Sequence, residues 1–116
     1  MEQLHIYQTA MDLTSKIYLL TQTPRLKKDY SLCDQIRRAS ISIVTNIAEG
    51  YKRSRRHFLN YLQIASGSSN EVVALLQIIK TVYKINTDEL QNSFKILGRQ
   101  INSFSNKIKT NGLNLS

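Results

Sequence analysis

The chain of 116 residues is long enough for one domain with its own core, and its net charge of +8, sixteen Lys and Arg against eight Asp and Glu, favours polyanionic partners. One proline and four glycines leave little turn chemistry for a fold of short strands, and a lone cysteine excludes an internal disulfide and a thiolate metal cluster. No apolar run approaches the roughly 18 residues of a membrane span, and the start MEQLHIYQTA lacks the basic and apolar regions of a signal peptide. The expectation is a cytoplasmic protein with no membrane partner.

Ile6, Ala10, Leu13, Ile17 and Leu20 recur at alternating steps of four and three, which predicts a first helix from about Leu4 to Thr21. Thr23-Pro24 ends it, because the residue before proline is pushed out of the helical region. The loop RLKKDY follows, with Ser31 as candidate N-cap of a second helix from about Leu32 to Glu49. Gly50 is placed to close that helix in a left-handed cap.

On a wheel of 100° per residue, Leu32, Ile36, Ala39, Ile43 and Ile47 form a core face of helix two. Ile41, Val44, Ala48 and Tyr51 form a second apolar face, rotated by roughly 120°. A helix of an isolated bundle needs only about a 100° apolar arc, so the second face needs cover. A second copy of the chain would provide it, as would two neighbouring helices of the same bundle. Arg37 lies on this face and could pair across subunits with Glu49 or Glu71.

Ser54 can cap a third helix, in which Phe58, Leu62, Ala65, Ser69, Val72, Leu76, Ile79 and Tyr83 form a heptad-like seam. Tyr61, Ser68, Leu75 and Val82 recur every seven residues on an adjoining face. Gly67, inside the small-residue run ASGSS, costs a helix about 1 kcal/mol relative to Ala, which close approach of another backbone would offset. Its surroundings fit no phosphate-binding loop, since no strand precedes it. Thr87, followed by Asp88 and Glu89, opens a fourth helix, and Leu90, Phe94, Leu97, Ile101, Phe104 and Ile108 complete the last stripe. Short connections between long helices imply antiparallel neighbours, hence an all-α, up-down-up-down four-helix bundle over residues 1–110. Residues 111–116 read as a flexible tail.

Two segments, QIRRASISIVTNIAEG and FLNYLQIASGSSNEV, resemble the four-helix bundle family of 23S rRNA intervening-sequence proteins. The first motif falls on Gln35, Ile36, Arg37, Arg38, Ala39, Ser42, Ile43, Asn46, Ile47, Ala48, Glu49 and Gly50, and the second on Ile64, Ala65, Gly67, Ser68 and Glu71. AMDLTSKIYLLT in helix one has the same look, so the resemblance covers nearly the whole chain. Val44 stands where the family often has proline, and KRSRRH is an unusually basic helix two to three junction. The resemblance implies a pentameric, barrel-like ring. It also implies a likeness in fold to the accessory variability determinant of diversity-generating retroelements, a basic ring that works with a reverse transcriptase and nucleic acid.

Catalytic constellations are absent from the pattern. His5 and His57 lack ligand spacing, and Cys33 near a helix start reads as a small apolar filler. The reading is therefore a non-enzyme with no metal and no cofactor. Charge is more informative. Lys52, Arg53, Arg55 and Arg56 crowd one turn, flanked by the stackable rings of Tyr51 and His57, and an up-down bundle brings Lys107 and Lys109 to the same end. Arg25, Lys27, Lys28, Lys80 and Lys84 gather at the other end. These positions point to nucleic acid, RNA above all, as partner, with Arg37, Ile41, Val44, Ala48 and Tyr51 facing a second copy. The alternative is a structural or adaptor oligomer that binds another protein and carries incidental charge.

Overall fold

A computed structural model describes residues 2–51 and 53–110, and four helices account for most of them: α1 (Glu2–Thr21), α2 (Tyr30–Gly50), α3 (Arg55–Tyr83) and α4 (Asp88–Thr110). Among the described residues there is no strand, and no helix is long and apolar enough to cross a membrane. Lys52 and the expected tail 111–116 lie outside the described residues. The molecule is a rod of 50 × 20 × 19 Å in which each helix packs on its sequence neighbours and α4 also touches α1.

The stripes read from the sequence face inward. Ile6, Ile17, Ile36, Ile43, Ile47, Leu62, Leu76, Ile79, Phe94, Leu97 and Ile101 are essentially inaccessible to solvent. Each such aliphatic or aromatic side chain contributes roughly 1.5–3 kcal/mol relative to exposure. Small residues let the helices come close. Ser69 on α3 sits against Gly98 on α4, where a Cβ would stand 2.7 Å from the serine Oγ. Thr14 Oγ1 donates to the Ala10 carbonyl at 2.8 Å and reaches toward the Ser40 carbonyl of α2 at 3.4 Å. Ser42 and Ser68 hydroxyls meet at 2.9 Å between α2 and α3.

Several local expectations change. The cap of α2 is Asp29, whose carboxylate accepts from the Leu32 N–H at 3.2 Å, so the helix begins one residue before Ser31. Asp29 also accepts the Tyr83 hydroxyl at 2.6 Å, a contact that ties the end of α3 to the start of α2 and raises the tyrosine pKa above its ordinary value. Gly50 is helical and does not adopt the left-handed conformation; a Cβ there would stand 2.7 Å from Phe58 Cδ1 and 3.0 Å from Tyr61 Cβ. Close packing of an aromatic ring explains this glycine. The left-handed cap belongs instead to Lys84 (φ 57°), at the end of α3. Gly67 has open space around it within the chain, so no backbone approaches it there.

Ser54 caps α3 as expected, accepting from the His57 N–H. Thr87 precedes α4 but is buried, and its hydroxyl donates to the Leu76 carbonyl of α3 at 2.8 Å. Asn86 Oδ1 takes over the capping role, accepting from the Asp88 N–H at 2.9 Å.

Candidate nucleic-acid interface

The basic junction lies between α2 and α3, so its side chains inherit their directions from two helix ends. Arg53 is turned back: its guanidinium binds the Glu49 carboxylate at 2.6 Å, a bond that raises the arginine pKa further. Both partners are half-exposed, and solvent screens such surface pairs, so a phosphate can compete for Arg53. Arg55, Arg56 and His57 begin α3, and the His57 ring meets the capping Ser54 hydroxyl at 2.9 Å. Tyr51 is exposed at the end of α2 and outside the groove described next.

Between α3 and α4 runs an open groove of about 1170 Å³. Arg55, Arg56 and His57 line one wall and Lys109 the other. Deeper along it lie the amides of Asn60 and Gln63 on α3 and of Asn102 and Asn106 on α4. Among the described residues, no acidic side chain lines this groove. Lys107 faces away from it, pairing with Glu2 of α1 at 3.2 Å and lining a smaller hollow of about 550 Å³ with Arg99. The structure therefore brings Arg55, Arg56, His57 and Lys109 together and sends Lys107 and Arg53 elsewhere. The groove amides went unnoticed in the sequence, although Arg56, Asn60 and Gln63 follow helical spacing, as do Asn102, Asn106 and Lys109. At the other end of the rod, Lys80 is paired with Asp88 at 2.6 Å, which weakens that cluster.

The face expected to meet a second copy is divided. Val44 is buried within its own chain, while Ile41, Ala48 and Tyr51 remain exposed. The wheel separates Val44 from the core face, but in the folded chain it joins the buried core cluster. Arg37 turns toward α1, donating from Nε to Thr21 Oγ1 at 2.8 Å and placing its guanidinium 4.6 Å from the Tyr18 ring centroid. Arg37 and Glu49 lie twelve residues apart on α2, about 18 Å at roughly 1.5 Å per residue, so a pair between them has to join two copies of the chain.

Cys33 is buried, its thiol directed at the carbonyls of Leu26 (3.3 Å) and Thr21 (3.7 Å). Burial raises its pKa above the ordinary value, with Arg37 opposing and Asp29 adding to the effect. The thiol form is favoured in the folded state, so this contribution to stability is present below the unfolded pKa and lost as pH rises through the folded one. Thiol-reactive reagents at pH 7–8 should label Cys33 in denaturant at the rate of a free cysteine and at least tenfold slower in the native protein. Equal rates would contradict the buried placement. Among the described residues, no group of three or more His, Cys, Asp or Glu could hold a metal ion.

Fold and surface together define a small, all-α, four-helix protein with a basic groove between two of its helices. The chain belongs to the 23S rRNA-intervening sequence protein family, whose sequence model matches residues 2–108. A crystal structure from Bacteroides thetaiotaomicron VPI-5482, of a protein with unknown function from the S23 ribosomal protein family, is similar in fold: TM-score 0.82, 22% sequence identity, 91% of this chain and 99% of that chain covered. Comparison with curated proteins finds no match.

Proposed function

We propose that this protein is a non-catalytic, cytoplasmic, oligomeric RNA-binding protein that holds phosphates at the end of the rod formed by the α2–α3 junction and the close of α4. The observation that carries the reading is the convergence of Arg55, Arg56 and Lys109 on one groove free of acidic side chains among the described residues. A field of one sign, next to an α3 N-terminus that exposes backbone donors, favours a polyanion. Family membership makes RNA the first polyanion to test.

The helix-end contacts support an antiparallel, up-down-up-down arrangement: Glu2 of α1 meets Lys107 of α4, Thr21 of α1 meets Arg37 of α2, and Asp29 before α2 meets Tyr83 of α3. Assembly is supported by exposed apolar side chains on two different parts of the surface. One group is Leu4, Met11, Ile41 and Tyr51 on α1 and at or beside α2; the other is Ile64, Ile78 and Val82 on α3. Exposed apolar side chains on different helices suit head-to-tail contact, which closes into a ring when the rotation allows. The number five rests on the resemblance.

Size-exclusion light scattering with and without a 20-nucleotide RNA tests both parts. The expected mass is about five times the 13.3 kDa chain, rising when RNA is added at low salt. A monomeric mass would overturn the ring. An unchanged mass with RNA would overturn the binding and favour the protein-adaptor reading.

A further inference from the structure

We infer that the α3–α4 groove takes an unpaired, adenine-containing nucleic-acid strand and reads its base edges through Asn60, Gln63, Asn102 and Asn106. This rests on the reading of the neighbouring Arg55, Arg56 and Lys109 as phosphate contacts. All seven side chains line the same groove of about 1170 Å³.

The division of chemistry along the groove sets the ligand class. Cations stand at one end, and beyond them come uncharged amides, the hydroxyls of Ser66 and Ser105 and one apolar side chain, Leu59. A site for phosphates alone would continue the positive charge. Amides instead present a donor and an acceptor together; unpaired adenine offers the complementary pattern on two edges, N6 with N7 and N6 with N1, where cytosine and uracil offer it only on their Watson–Crick edge. Among the described residues, His57 is the one aromatic side chain that lines the groove, so bases are held by their edges and not by sequence-tolerant stacking.

Shape selects the single strand. The axes of adjacent helices stand about 8–10 Å apart, too close for a duplex to settle between them. In an A-form duplex the major-groove base edges are also out of side-chain reach. From Arg55 to Ser66 the α3 wall runs about 16 Å at roughly 1.5 Å per residue. At about 3.4 Å per stacked nucleotide, that length accommodates four or five of them.

The test is fluorescence anisotropy with labelled 12-nucleotide A12, U12 and C12 RNA and a mixed-sequence 12-base-pair RNA duplex, on the full chain and on N60A/N102A/N106A. These three asparagines are exposed on helices and alanine is a better helix former, so the variant keeps its fold, which circular dichroism checks. The parent should bind A12 roughly tenfold more tightly than U12, C12 or the duplex. The variant should lose that preference and roughly tenfold in A12 affinity while its salt slope stays that of the parent. Equal binding of A12 and the other strands, binding of the duplex as tight as A12, or a variant indistinguishable from the parent would each overturn the inference while leaving phosphate binding intact. No salt-sensitive binding of any RNA by the parent would instead remove the phosphate reading, and this inference with it.

Discussion

Neutralising Lys52, Arg53, Arg55 and Arg56 together to glutamine is expected to weaken RNA binding by about 100-fold at 0.1 M salt. Each phosphate contact to a single strand contributes about 0.7 to the log–log salt slope, so four contacts would flatten it by at most about 2.8. Arg53 must first leave Glu49, at 2.6 Å, and therefore acts as less than a full contact. About three effective contacts give a slope change near 2 and, over the decade between 0.1 M and 1 M salt, about two orders of magnitude in affinity. Helicity should be unchanged, because glutamine is an acceptable helix residue at the start of α3 and the Ser54 cap is untouched. Affinity and slope equal to those of the parent would move the contact elsewhere, with Arg25, Lys27 and Lys28 the next place to look.

Replacing Phe94 with alanine should cost about 3–5 kcal/mol, a large part of the roughly 5–15 kcal/mol that holds a domain of this size. Phe94 is the largest side chain with no solvent exposure, and it sits on α4 in the same buried cluster as Ile6, Ile43, Leu62 and Leu76. Removing its ring leaves a cavity that four packed helices cannot fill without moving. At about 4–8 °C per kcal/mol, the melting temperature should fall by at least about 12 °C. If a ring forms, its melting temperature also depends on protein concentration, so parent and variant belong at the same one. A loss below about 1 kcal/mol would show that Phe94 is not the centre of the core.

Helix number and core faces were legible in the sequence because burial imposes a 3.6-residue period, which glycine and proline hardly interrupt here. Ile6 to Ile17, Ile36 to Ile47 and Leu62 to Ile79 all face the interior on the stripes that the spacing predicts. What escaped depends on contacts distant in sequence. Ser31 and Asp29 are equally good local caps, and the Tyr83 hydroxyl, 54 residues away, is an additional partner that only Asp29 receives. Gly50 after a helical stripe suggests a left-handed cap, but it is the last residue of α2 and its role is to admit the Phe58 ring. Val44 falls on the second apolar arc of the wheel, yet packing within the chain buries it. The candidate site was half legible. The run of cations is visible in any reading, whereas the groove needs α3 and α4 side by side before Asn60 and Asn106 line one groove with Arg55 and Lys109.

The central claim, that the basic end of this bundle binds RNA through phosphates, is met most directly by titrating the parent protein into labelled single-stranded RNA from 50 mM to 500 mM salt. At least three or four phosphate contacts predict an affinity that falls with a log–log slope steeper than about −2. A flat slope, or no binding at 50 mM, would contradict it.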